Sequence, residues 1–306
     1  MDYNVTIVRE FLLLGFAVPP APGMVLFILI LMVYSLSVVI NSVIIVLVGS
    51  DRRLHKPMYF FISVFSFLEL WYPTVTVPGL LQGLLSGGKT VCFGCCVSQF
   101  YLHFSLGVTE NLLLVVMGFD RYVAFCRPLH YTVIMSPGVC VRFAVGSWIG
   151  GFSAFVSHSI QLSRARFCGP AQVDHYYCDF APLIKLICSD TTNMKTLFSV
   201  ICCLGGACLL LIMVSYIFIL NTILRLPTST GRHKTFYTCA SHLTVVLIFY
   251  GTTLFMFARP VDGSDLHTNK IVSVFPSVVT PLLNPIIYSL RNQEVKSALL
   301  RAIHGI

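Results

Sequence analysis

Charge is what this sequence has least of. Only 10% of its 306 residues are Asp, Glu, Lys or Arg, and just 12 are acids, against about a quarter charged in a soluble domain. With 56% hydrophobic residues and a mean hydropathy of +0.84, it has too little polar surface to cover a fold of this size in water. Much of the outside must face lipid. Signatures of chemistry are missing as well. No GxSxG or strand-linked GxGxxG stretch occurs, so no enzyme site declares itself. Zinc has neither an HExxH pattern nor a doubled CxxC spacing to bind. Repeats, low-complexity tracts and any polar stretch long enough for a soluble domain are likewise absent. The net charge of +8 does not imply nucleic acid, because the basic residues sit in short segments between apolar runs.

Seven of those runs have the length, about 20 residues, needed to cross roughly 30 Å of hydrocarbon. They lie at approximately 24–48, 57–84, 95–118, 142–161, 196–224, 236–258 and 271–290. The expected fold is an all-α membrane protein, one bundle of seven transmembrane helices over residues 1–306. Residues 1–22 carry Asp2, Glu10 and three prolines with no small-residue cleavage site, so the first span is expected to act as an uncleaved signal anchor. Twelve of the 20 basic residues fall on one side of the membrane and seven of the 12 acids on the other. Placing the basic side in the cytoplasm puts residues 1–23 outside and the tail 291–306 inside. The sequon Asn4-Val5-Thr6 then lies where glycans are added. In the tail, Val295, Leu299, Ala302 and Ile303 recur at helical spacing, which predicts a short amphipathic helix lying on membrane lipids.

A carboxylate at mid-membrane costs about 2.5–3.5 kcal/mol, so Glu69 and Glu110 need a purpose. At about 1.5 Å per residue, Glu69 lies roughly 18 Å from the end of its span, and Glu110 and Asn41 roughly 16 Å from theirs. The three share one level, and two acids there point to a monovalent cation or a shared proton, against a pair of protonated packing residues. At the inner end of the third span, adjacent Asp120 and Arg121 read either as a latch or as a snorkelling arginine. Thr280-Pro281 and Asn284-Pro285 interrupt the last span twice, as a moving part or a static kink. His242 reads as a proton-sensitive contact or a satisfied core histidine. Six cysteines lie on the outer side: Cys92, Cys95, Cys96, Cys168, Cys178 and Cys188. One of the latter three can tie to the top of the third span while the others pair, leaving one or two of the six spare.

Together these stretches resemble the olfactory receptors, a branch of the rhodopsin-like G-protein-coupled receptors. The matching motifs are LHKPMYFF at Leu54–Phe61, MGFDRYVAFCRPLHY at Met117–Tyr131, KTFYTCASHL at Lys234–Leu243 and PLLNPIIYSLRN at Pro281–Asn292. The resemblance covers nearly the whole chain and implies a rhodopsin-like bundle in the plasma membrane. It also implies an odorant pocket in the outer half and coupling to a stimulatory G protein that raises cyclic AMP. It assigns disulfides Cys96–Cys178 and Cys168–Cys188, makes Asp120, Arg121, Tyr122, Asn284, Pro285 and Tyr288 activation switches, and favours sodium near Glu69 and Glu110. Departures are mild: Ile40 stands for a usual glycine, Gly118-Phe119 for Ala-Tyr, Phe125 for Ile, and Glu69 for a more frequent aspartate.

For the pocket, Phe104 lies roughly 25 Å above Arg121, and Tyr250 roughly 24 Å above Lys234, at one depth. Ser105, Val108, Thr253 and Phe257 lie within about a turn of that layer, and Gly205 and Gly206 leave space on the fifth span. A transporter would show paired repeats and broken helices, and an intramembrane enzyme a nucleophile beside a base; neither pattern is present.

Overall fold

A polypeptide in hydrocarbon must satisfy its own backbone, so each apolar run folds as a helix, and the helix continues past the run into the headgroup zone. The computed structural model describes residues 8–168, 170–225, 229–257, 266–290 and 293–304, without the side chains of 229–238, 257, 266, 267, 289, 290, 293, 303 and 304. Seven helices in it are long and apolar enough to cross a membrane. They are Pro20–Ser50, Pro57–Ser86, Phe93–Cys126, Pro137–Ser163 (interrupted at Phe155), Thr192–Leu224, Ser229–Phe257 and a composite seventh. Three begin with proline in the first turn, where its missing N–H costs no hydrogen bond. The third span is central and touches the second, fourth, fifth and sixth. Where it crosses the fourth, Gly151 lets the backbones meet: a Cβ there would fall on the Thr109 hydroxyl and lie 2.7 Å from the Ser105 carbonyl.

The seventh span runs Leu266–Val272, a π-helical turn at Phe275–Val279, then Thr280–Leu290. Pro285 has no N–H for the Pro281 carbonyl one turn earlier. Asn41 of the first span supplies one, its Nδ2 donating to that carbonyl at 3.0 Å. The wide turn itself starts at Phe275, with Pro276 in its first positions, earlier than the breaks expected at Pro281 and Pro285.

A small sheet, unforeseen in an all-helical reading, covers one end of the bundle, called here the lid end. Its central strand β1 (Glu10–Leu13) pairs antiparallel with β2 (Lys89–Cys92) and parallel with β3 (Gln172–Val173). Phe11 and Leu13 alternate with Glu10 and Leu12, which buries the first pair. Four residues are too few for that period to stand out in sequence. Three disulfides staple this end: Cys92–Cys95, Cys96–Cys178 and Cys168–Cys188. The expectation of a spare cysteine is thereby corrected, because Cys92 and Cys95 sit together at the first turn of the third span.

At the opposite end the tail forms the helix Gln293–His304. Val295 and Ala298 are buried against the bundle while Leu299 and Leu300 face outward, which corrects the expected Val295–Leu299 stripe. Ion pairs set that rotation: Lys56 to Glu294 at 2.7 Å and Arg301 to Asp51 at 2.5 Å. Arg301 beside Asp51 holds its carboxyl below the usual carboxylate range.

Candidate functional site

On the third span, Phe104, Gly107, Val108, Asn111 and Leu112 recur at helical spacing and form one face. That face lines a cavity of about 350 Å³, walled also by spans four, five and six and closed at the lid end by Tyr177 of the long loop. Tyr250 and Thr253 of the sixth span and Gly205 and Gly206 of the fifth also line it. Ser105 does not. One residue round from Phe104, it is buried at the crossing with the fourth span, its carbonyl 2.7 Å from where a Gly151 Cβ would lie. The side chain of Phe257 and all of Asn4 lie outside the described residues.

The cavity holds few polar groups. The Tyr250 hydroxyl donates to Asn111 Oδ1 at 3.0 Å, and the Thr253 hydroxyl donates back to the Phe249 carbonyl at 2.7 Å. Gly205 leaves room beside Asn111: a Cβ there would lie 3.3 Å from Nδ2. Depth alone missed Asn111, His103 and Phe198. Asn111 had a signal, since an amide in an apolar span next to Glu110 meets the criterion that singled out the acids. In the loop above, burial pushes the Asp179 carboxyl up to about 6.

Two of the three polar groups expected at one level, Asn41 and Glu69, meet the seventh span. Asn284 Nδ2 donates to Glu69 Oε1. Among the described residues, Glu69 Oε2, Glu110 Oε1, Asn284 Oδ1 and Asn41 Oδ1 are buried without a protein partner. No group of three His, Cys, Asp or Glu side chains able to hold a metal occurs among the described residues.

At the far end of the third span, Arg121 pairs with Asp120 at 3.0 Å, and the Tyr131 hydroxyl donates to the same carboxylate at 2.8 Å. Tyr122 packs edge-on against Phe218. His242 is buried with Nδ1 2.7 Å from the Tyr216 hydroxyl. Tyr288, four residues beyond Asn284, is buried edge-on to Phe65. Asp120, Arg121, His242 and Tyr288 thus sit on three spans at one end.

The family model of the olfactory receptors matches residues 30–305. The chain belongs to the olfactory receptor family. It is 46% identical to rat Olfactory receptor 226 over 303 residues, 97% of this chain and 92% of the relative. It is 45% identical to human Olfactory receptor 6X1 over 302 residues, 98% and 96% of the two chains. Human Olfactory receptor 6A2 is 46% identical over 97% of this chain and 92% of its own. As an olfactory receptor, the protein is a seven-span G-protein-coupled receptor for odorants and not an enzyme. Of the motifs that resemble the olfactory receptors, Met117–Tyr131 holds the charged pair at the far end and Pro281–Asn292 holds the Asn284 that meets Glu69.

Proposed function

We propose that this receptor binds a small, mostly apolar volatile in the cavity between spans three, five and six and activates a stimulatory G protein, raising cyclic AMP. The observation that carries this reading is the cavity itself, about 350 Å³, within the range of small-molecule sites and lined mostly by apolar side chains. Such a ligand has little charge to grip. Burying about 200 Å² of apolar surface contributes about 5 kcal/mol at ~25 cal/mol per Å², so a single polar contact decides orientation. Among the described residues the Asn111 amide N–H groups have no protein acceptor, while Oδ1 is held by Tyr250. That favours a ligand with one accepting oxygen. Tyr250 then carries ligand contact to the sixth span.

The charge bias supports a lid end outside the cell and a cytoplasmic tail. In that orientation the Asp120–Arg121 pair is the latch that releases Arg121 to the G protein, with Tyr122, His242, Asn284, Pro285 and Tyr288 moving around it. Asn4 carries a glycan on the outer side, so glycosidase should shift wild type and leave Asn4→Gln unmoved. Sodium between Glu69 and Glu110 would neutralise part of the buried charge. Glu110→Gln should therefore reduce the sodium dependence of signalling, and an unchanged dependence would mean the acids only pack.

The test of the main reading is a cyclic AMP reporter in cells expressing the receptor with the olfactory G protein. A diverse odorant panel should yield at least one saturable response. Silence across the panel from a receptor present at the surface would count against it.

A further inference from the structure

We propose that ligands reach the cavity through the bilayer, between spans five and six, and not past the lid. The inference rests on the cavity's being the ligand site. Among the described residues, the lid is pinned to the amino-terminal strand and to spans three and seven. The backbone N–H groups of Leu12, Leu14 and Gly15 donate to Ala171, Val173 and His175 of the long loop. Cys178 is bonded to Cys96, and its own N–H donates to Gln99 Oε1 at 3.0 Å, both on the third span. Lys270 of the seventh span, buried, donates to the Gly15 carbonyl at 2.8 Å and to the Asp174 carboxylate. Tyr176 and Tyr177 fill what is left and are fully buried. An opening here would break several hydrogen bonds and an ion pair at once.

The flank is different. Leu204 and Leu254 line the cavity, yet they are 61% and 52% exposed on the outside of the bundle. Cys202, also in the lining, is exposed as well. Gly205 and Gly206 leave no side chain to fill the seam beside Leu204. The apolar window of the fifth span is only 6% buried, so its surface faces lipid tails. Leu204 and Leu254 thus join the outer surface to the cavity lining, and neither side chain can form a hydrogen bond that would have to break. Hydrocarbon is also where such ligands gather, since each methylene multiplies their concentration there about fourfold over water.

The experiment uses thiol labelling in nanodiscs, so no odorant is needed. In a receptor carrying Cys202→Ser, Cys203→Ser and Cys208→Ser, the reporter is Val108→Cys, read by mass spectrometry after timed exposure to N-ethylmaleimide. Adding Leu204→Trp or Leu254→Trp should slow labelling several-fold, and adding Lys270→Ala should leave it unchanged. A charged methanethiosulfonate should label Val108→Cys poorly in all of these. Labelling indifferent to both tryptophans, absent altogether, or quickened by Lys270→Ala would overturn the proposal. Because the readout is a thiol, a receptor that labels as expected but answers no odorant would sink the functional reading alone.

Discussion

Gly151→Ala should leave almost no receptor at the cell surface. The added Cβ would lie 2.7 Å from the Ser105 carbonyl oxygen and 2.8 Å from the Thr109 nitrogen, both backbone atoms of a rigid helix. Overpacking a well-filled interior costs about 1–3 kcal/mol, and more where backbone must move, against a total stability of about 5–15 kcal/mol. Thr109→Ala would remove the hydroxyl that also stands in the way but not the two backbone atoms, so the double variant should not recover. Gly146→Ala, five residues earlier with nothing within 4 Å of its Cβ, is the matched control and should express normally. Flow cytometry of surface-tagged receptor reads all three, and a well-expressed Gly151→Ala would mean that spans three and four do not cross as described.

Losing the bond between Cys96 and Cys178 should be about as damaging. It closes a separation of 82 residues, with Cα atoms 5.5 Å apart, and removing a disulfide typically costs about 2–5 kcal/mol. It also frees Tyr177, which closes the cavity at the lid end. Cys96→Ala and Cys178→Ala should each cut surface expression strongly, and the double variant should be no worse than either. Additive losses would show that the two are not partners.

Much of this was legible in the sequence because a bilayer leaves few choices. Span number and length follow from apolar runs, and the helices differ from the expected ranges at their ends and at the interruptions of the fourth and seventh spans. The level shared by Asn41 and Glu69 could be counted along two helices, and both residues do meet the seventh span. Rotation about a helix axis could not be counted, since depth is a property of one residue and facing is a property of its neighbours. That is why Ser105 was grouped with Phe104, and why Asn111, on the cavity face, was passed over. The tail erred in the same way: Val295 and Leu299 share a stripe in an isolated helix, but Lys56 and Asp51, far off in sequence, turn Ala298 inward. The sheet escaped notice because its three strands are two to four residues long and lie up to about 160 positions apart.

The most direct measurement of the central claim is agonist potency in Val108→Phe at matched surface expression. Val108 lines the cavity on the central span, and a phenyl ring there takes volume that the ligand needs. Potency should fall about tenfold or more, equivalent to about 1.4 kcal/mol, with a smaller loss for more compact analogues of the same agonist. Potency unchanged in Val108→Phe, Tyr250→Phe and Thr253→Ala alike would contradict the account and place the odorant elsewhere.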